Sequence, residues 1–196
     1  MKTSPCRRAF TLLELLLVIA VIAILMVLIA PVLGTTVRAY NVTSATQTMI
    51  SVLNRARQEA ISRNRSVDFQ LLKTSRDSSP VAYIAMRHVI LDEFSSASGS
   101  NAVVNKTVWL PQGVVISEDS TRSDLATPPL QSTNVTLPGG STATASYFTI
   151  RPNGMISTPT TVDTLKWTLT SAQGQTNNFS TIQLDTRTGI ARLFRP

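Results

Sequence analysis

Hydrophobic residues follow three successive patterns along the chain. Residues 15–33 form an apolar run that contains no charged side chain. Residues 42–60 repeat apolar positions at spacings of three and four, which is typical of a helix with one buried stripe. From Ser66 onward the spacing changes to two, which indicates β-strands. The patterns predict an α+β fold: one long N-terminal helix over residues 10–64, packed on a C-terminal antiparallel β-rich domain.

The second half of this helix is expected to pack on the β domain through its apolar stripe, and its opposite face is expected to stay polar. The stripe consists of Val42, Ala45, Met49, Val52, Leu53, Ala56 and Ala60. The polar face consists of Gln47, Arg55, Arg57, Gln58 and Arg63.

Strands are predicted where apolar residues alternate or cluster between turn signals. Residues 120–146 are rich in Ser, Thr, Gly and Pro, so we expect a mobile loop with at most one short strand near Val135. The predicted turns are Pro111–Gly113, Pro152–Gly154 and Asp185–Gly189. The predicted strands are Val67–Leu72, Val81–Ile90, Val103–Leu110, Val114–Ile116, Tyr147–Arg151, Leu165–Thr170, Phe179–Leu184 and Ile190–Phe194.

The apolar run near the start of the chain is long enough to cross a bilayer, which needs ~20 helical residues. A secretory signal peptide has a shorter apolar region of ~7–15 residues. A lipoprotein signal would place its cysteine after the apolar region, whereas Cys6 precedes it. A plain transmembrane anchor accounts for the length but not for Glu14, because an isolated carboxylate at the membrane edge costs a few kcal/mol.

The residues around Glu14 carry a family resemblance. Arg-Arg-Ala at residues 7–9, then Phe-Thr-Leu-Leu-Glu and a long apolar helix, resembles the N-terminus of type IV pilins and type II secretion pseudopilins. The resemblance implies that prepilin peptidase cuts between Ala9 and Phe10 and that the new amine is methylated. Ala9 departs from the usual Gly before the cut.

The resemblance also assigns roles to two residues of the mature helix. Glu14 becomes the fifth mature residue, where the family places a Glu used in assembly. Pro31 becomes the twenty-second, where many pilins carry a proline that loosens the helix. A buried Glu14 would gain from the amine of a neighbouring subunit, whereas a monomeric anchor gains nothing from it.

Later segments narrow the resemblance to one branch of the family. Residues 54–64 are similar to the "ARxxAIxRN" helix end of the GspH-type minor pseudopilins and FimT-like pilins. Leu110–Val114, Phe148–Gly154 and Thr188–Arg192 are similar to later landmarks of that group. The length and helix end are also similar to a set called Verru_Chthon cassette protein D. The resemblance implies a minor structural subunit.

Charge and cysteine content limit the alternatives. The formal net charge is +7, and it falls by three if Lys2, Arg7 and Arg8 leave with the leader. The basic residues are scattered and do not form a patch interleaved with aromatic residues, so no nucleic-acid partner is expected. The only cysteine, Cys6, lies in the leader, so the mature chain can form no disulfide.

The sequence offers little support for catalysis. His88 is the only histidine, and a Ser-His-Asp site would need it beside Asp92. We expect instead a strand histidine whose hydrogen bonds are satisfied locally. The dipeptide Gly139-Gly140 does not belong to a phosphate-binding loop. The protein is therefore predicted to be no enzyme and to use no cofactor.

Two other groups of residues have side chains that could bind a ligand. Glu118, Asp119 and Asp124 lie close in sequence, but their spacing resembles no EF-hand, so no metal site is predicted. Trp109 and Trp167 are expected to be core or sheet residues and not platforms for a ligand.

These observations predict a leader (residues 1–9), an assembly half of the helix (10–34), an amphipathic half (35–64) and a β-rich domain (65–196). The leading hypothesis is a minor structural subunit of a type IV pilus or type II secretion pseudopilus. The alternative is a single-pass anchored β domain that binds a partner or surface polymer without polymerising.

Partners and location follow from the same hypothesis. The resemblance implies prepilin peptidase, other pilin or pseudopilin subunits and the inner membrane as partners. Lys2, Arg7 and Arg8 stand against Arg38 alone on the far flank, which places the N-terminus in the cytoplasm and the β domain in the periplasm. Incorporation would carry the chain into a filament at the cell surface.

Overall fold

The structure, a computed structural model, describes residues 11–76, 79–91, 103–125, 129–138, 140–172 and 178–195, with only the backbone at residues 27–35 and 103. The chain divides into two units, residues 1–38 and 39–196. The one helix among the described residues, α1 (Leu12–Arg63), contributes to both. The strands are β1 (Val67–Thr74), β2 (Ala82–Ile90), β3 (Val103–Val104), β4 (Val108–Trp109), β5 (Val114–Ile116), β6 (Gln131–Thr136), β7 (Thr142–Ile150), β8 (Ile156–Ser157), β9 (Thr164–Ser171), β10 (Phe179–Asp185) and β11 (Ala191–Phe194).

Helix α1 ends at a left-handed residue. Asn64 has a φ of 51°, a conformation that asparagine tolerates better than most residues. Its amide donates to the Ile61 carbonyl at 3.3 Å, and the Arg65 amide donates to the Ala60 carbonyl at 3.1 Å. This pair of bonds is a Schellman cap, which terminates the helix and directs the chain into β1.

The apolar stripe of the second helical half packs on the β domain, as predicted. Six of its residues are at most 2% exposed, and Val52 is partly buried against the same core. The buried six are Val42, Ala45, Met49, Leu53, Ala56 and Ala60.

All described strands form one antiparallel sheet in the order β11-β10-β9-β5-β2-β1-β7-β6, with β3 and β4 added to β2 and β8 added to β7. Phe69 of β1 stacks on Phe148 of β7 at 5.4 Å between ring centroids. Phe148 in turn stacks on Trp167 of β9 at 5.5 Å. The three rings belong to the same buried cluster as the helical stripe, so α1 covers this face of the sheet.

Strand β1 is buried on both faces, which the alternation in the sequence did not predict. Asp68, Gln70 and Leu72 point away from Phe69 by the alternation of a strand, yet each is at most 1% exposed. Leu72 belongs to a second apolar cluster. Its other members are Ala85, Leu137, Ala143 and Ala145.

The prediction of a loop over residues 120–146 is wrong for its second half. Strands β6 and β7 form a hairpin there, closed by the Leu137 amide donating to the Ser141 carbonyl at 2.8 Å. Strand β7 begins at Thr142 because Ala143 and Ala145 fill the second apolar cluster. The first half is fastened to β9, since the Thr168 amide donates to Ser123 Oγ at 2.9 Å.

The prediction of a single strand over Val103–Leu110 is also wrong. The segment forms two short strands, β3 and β4, and both pair with β2. Between them Asn105 turns its amide toward the helix, where it donates to Glu59 Oε2 at 3.0 Å. The Asn105 backbone still contacts β2, since its amide N–H donates to the His88 carbonyl at 3.1 Å.

Candidate functional site

The first unit presents an exposed apolar helical surface. Over residues 12–26, the large apolar side chains are 42–81% exposed, from Val18 at the low end to Leu12 at the high end. Surfaces of this kind in monomers mark sites of protein or membrane interaction. Among the side chains described, no helical segment meets the length and hydropathy expected of a membrane span.

Glu14 lies in the first turn of this helix and has a local structural role that the sequence analysis missed. Its backbone amide donates to Thr11 Oγ1 at 3.2 Å. Thr11 therefore occupies the N-cap position and Glu14 the third helical position, the spacing of a capping box. A carboxylate in the first turn also interacts favourably with the helix dipole. The sequence signal was present, because Thr-x-x-Glu before an apolar run is that motif.

The structure tests few of the other residues implied by the resemblance. Arg7, Arg8, Ala9 and Phe10 lie outside the described residues. Pro31 lies within α1, whose backbone is helical on both sides of it, and its side chain is not among those described.

Helix α1 meets β2 through a polar contact at His88. The His88 Nε2 atom lies 3.2 Å from Glu59 Oε2, and the Asn105 amide contacts both groups. Arg55 Nε donates to the other Glu59 oxygen at 3.1 Å. His88 is a strand histidine, as predicted. The prediction that its hydrogen bonds are satisfied locally is wrong in part, because its buried Nδ1 has no partner within the described residues and Nε2 contacts Glu59 on the helix. Asp92, the other member of the hypothetical triad, lies outside those residues.

Burial and the neighbouring charges shift the pKa values of His88 and Glu59 in opposite directions. Burial lowers the pKa of His88, although the charge of Glu59 and the hydrogen bond to it favour the imidazolium. Burial raises the pKa of Glu59, but the hydrogen bond from Arg55 and the interactions with His88 and Asn105 outweigh it, so the net shift is downward. At neutral pH the contact therefore joins a neutral imidazole to a carboxylate.

Arg57 was predicted to lie on the exposed polar face of α1, and this prediction is wrong, because its side chain is half-buried. Its Nε atom is buried and has no hydrogen-bond partner among the described residues. A Cβ placed on Gly154 would lie 3.0 Å from that atom, and one placed on Gly189 would lie 3.1 Å from it. Three separate landmarks of the sequence, the helix end and two glycine turns, therefore meet at one guanidinium.

The three acidic residues that lie close in sequence make separate contacts. Glu118 pairs with Lys73 at 2.6 Å, and Asp119 accepts from the Thr121 amide at 2.9 Å. Asp124 accepts from the Lys166 amide at 2.7 Å. Among the residues that the structure describes, no group of three potential ligands is close enough to hold a metal ion.

The two tryptophans differ in their exposure to solvent. Trp167 is fully buried in the main core, as predicted. Trp109 is a sheet residue of β4, also as predicted, but 39% of it is exposed, and the guanidinium of Arg76 lies 5.8 Å from its ring centroid.

Comparison with known protein families assigns the chain to one of them. The family of type II transport protein GspH matches residues 45–184, which is most of the chain. The chain belongs to the GspH family. The prokaryotic N-terminal methylation motif matches residues 4–30 of this GspH-family chain, a range that includes Phe10 and Glu14. The resemblance noted in the sequence is thereby confirmed.

Solved structures similar to this chain include two minor subunits. The minor pilin FimU of Pseudomonas aeruginosa is 15% identical, covering 79% of this chain and 88% of that chain with a TM-score of 0.46. The minor pseudopilin EpsH of the type 2 secretion system of Vibrio cholerae is 12% identical, covering 80% and 98% with a TM-score of 0.45. No curated protein matches the chain.

The two family matches together define the role of the molecule. The GspH match spans Arg57 and Gly154 and ends before Gly189, so it contains the helix end and most of the sheet. The methylation motif covers the exposed apolar helix and its cap. This GspH-family protein is a minor pilin-like structural subunit.

Proposed function

We propose that the subunit is cut between Ala9 and Phe10, methylated at the new N-terminus, and joined to a filament through residues 10–34. The observation that carries the proposal is the helical surface of residues 12–26, where every described large apolar side chain is at least 42% exposed. Such a surface is stable only when lipid or other apolar helices cover it. Bundled subunits supply that cover.

Before assembly the same surface is held in the inner membrane. Lys2, Arg7 and Arg8 keep the N-terminus in the cytoplasm, and the β domain (residues 65–196) lies in the periplasm. The amphipathic half of the helix, residues 35–64, supports that domain. The partners are prepilin peptidase and other pilin or pseudopilin subunits, and the role is structural and not catalytic.

Glu14 is the residue that favours assembly into a filament over a monomeric membrane anchor. When helices bundle, its carboxylate is removed from water and needs a cation, and the amine of Phe10 on a neighbouring subunit provides one. Loss of one member of a fully buried pair costs ~3–5 kcal/mol. Glu14 also lies in the first helical turn, where a carboxylate stabilises the helix and its backbone amide donates to Thr11 Oγ1, so a test must separate filament assembly from stability of the helix start.

Two substitutions make this separation. Glu14→Gln removes the charge and keeps a residue type that is accepted at this position of a capping box. Thr11→Ala removes the cap, at about 1 kcal/mol, and keeps the charge. Both variants should insert and be cut, with an intact mass that begins at Phe10. Thr11→Ala should be present in sheared filaments, whereas Glu14→Gln and Glu14→Ala should both be missing from them.

The second candidate function is a membrane-anchored β domain that binds a partner without polymerising. The position of Glu14 in the first helical turn favours it, because a carboxylate there stabilises the helix start even in a single chain. If Glu14→Gln enters filaments as well as the parent, the charge has no assembly role and this second function is the better one. A mature chain that retains residues 1–9 would contradict the proposed cut.

A further inference from the structure

A recess with a buried cation lies on the face of the sheet opposite the main core. Arg87 of β2 alternates with Met86 and His88, which point toward α1, so it points to the other side. The recess has a volume of about 460 Å³, which is within the usual size of small-molecule sites. Its lining includes Arg87, Lys106, Thr107, Trp109, Leu137 and Ser141.

Arg87 is an unusual residue for such a position. It is only 6% exposed, and its Nε donates to Gln70 Oε1 at 2.8 Å. Gln70 is neutral, and no carboxylate of the described residues lies within ion-pair distance of Arg87. A buried guanidinium remains charged, and a charge out of water is costly without a counterion. Lys106, exposed at the rim of the same recess, adds a second positive charge.

Among the described residues, most carboxylates already have a partner. The proposed assembly already accounts for the carboxylate of Glu14. Six of the other acidic side chains of the described residues make contacts within the chain: Glu59, Glu118, Asp119, Asp124, Asp163 and Asp185. Asp68, on the same face of the sheet as Arg87, accepts from Thr149 with one carboxylate oxygen, and its other oxygen is buried without a partner among the described residues. An anion carried by a ligand would supply the counterion that the described residues do not place beside Arg87.

The other residues that line the recess indicate which chemical class of ligand carries the anion. Trp109 is 39% exposed and offers an aromatic wall, and Leu137 adds apolar surface. Thr107 and Ser141 contribute hydroxyl groups. A sugar ring with a carboxylate matches all three features, because it has an apolar C–H face, hydroxyl groups and one negative charge. An acidic peptide side chain lacks the ring and its hydroxyl groups.

We propose that this recess binds a uronic acid unit of an acidic polysaccharide, with the carboxylate between Arg87 and Lys106 and the ring against Trp109. This assignment goes beyond the structural role in a filament. It gives the β domain a ligand that the subunit would carry wherever it is displayed.

The test is a titration of the full-length chain in detergent with trigalacturonate, followed by tryptophan fluorescence. Trp167 is fully buried, so the exposed Trp109 is expected to report binding. Saturable quenching is expected with trigalacturonate. Its methyl ester, which has the same rings without charge, should bind about tenfold more weakly.

Two lysine variants control for the general attraction between a basic protein and an anion. Lys106→Gln should weaken binding about fivefold, a size suited to one exposed charge contact. Lys166→Gln removes the same charge from an exposed position on β9 outside the recess and should leave the affinity unchanged. Arg87→Gln should abolish binding, and if it fails to fold, the lysine pair decides the question.

Three results would overturn the proposal. One is the absence of saturable binding by trigalacturonate. Another is an equal loss of affinity in Lys106→Gln and Lys166→Gln, which would mean that only net charge matters. The third is equally tight binding of a triglutamate peptide, which would assign the recess to acidic protein segments.

Discussion

In residues 12–26 of α1, every described large apolar side chain is at least 42% exposed, whereas six stripe residues between Val42 and Ala60 are at most 2% exposed. Both segments are helical, so apart from the first turn their backbone groups are paired in the same way. The difference lies in what covers the side chains: the sheet covers those of the second segment, whereas those of the first are exposed. Helical conformation and a stable environment are thus separate requirements, and the first segment must obtain its environment from other molecules.

The largest expected effect comes from making the same substitution in both segments. Leu53→Ala leaves a cavity in the core and should destabilise the β domain by ~2–5 kcal/mol. Leu17→Ala, at a position that is 59% exposed, should change that stability by less than about 0.5 kcal/mol. The measurement is chemical unfolding of the full-length chain in detergent, monitored by the fluorescence of buried Trp167. Equal effects would mean that the two halves of the helix are not distinct.

A second substitution tests how tightly the covered segment is held at Arg57. Gly189 has a φ of 65°, and an added Cβ would clash with the Gly154 carbonyl and press on Arg57. Gly189→Ala should therefore cost ~2–3 kcal/mol. Gly113→Ala is the matched control, because Gly113 has a φ of 80° and an added Cβ would meet no atom within 4 Å, so it should cost about 1 kcal/mol. The two costs are compared by thermal unfolding, and equal values would show that the junction at Arg57 tolerates a methyl group.

The smallest effect concerns the polar contact between helix and sheet. The pKa of His88 is lowered in the folded state by burial, so the unfolded chain binds more protons as the pH falls through the ordinary histidine value near 6.5. Stability should therefore fall between about pH 7.5 and pH 5.5, by at most about 1.4 kcal/mol per pH unit. His88 is the only histidine, so His88→Gln should flatten the profile in this window. A profile that stays equally steep in the variant would assign the dependence to other groups.

Patterns that depend on near neighbours were predicted well from the sequence. The helix was expected over residues 10–64, and its described part is Leu12–Arg63. The stripe at Leu53 and the turn at Gly189 were also recognised, because helical periodicity and turn chemistry are local properties. The resemblance at residues 7–14 gave the family, which the matches to the GspH family and the methylation motif confirm.

The sequence by itself thus determined the long helix, its buried stripe, most strands and the family. Only the tertiary structure decided what covers each surface. A period of two shows that β1 has two faces, but burial of Asp68 and Gln70 depends on the strand order, which sets β1 between β2 and β7. Arg57 had the sequence pattern of an exposed residue, and it is half-buried because two distant glycine turns fold against it. Such contacts join segments far apart in the chain, and no local pattern encodes them.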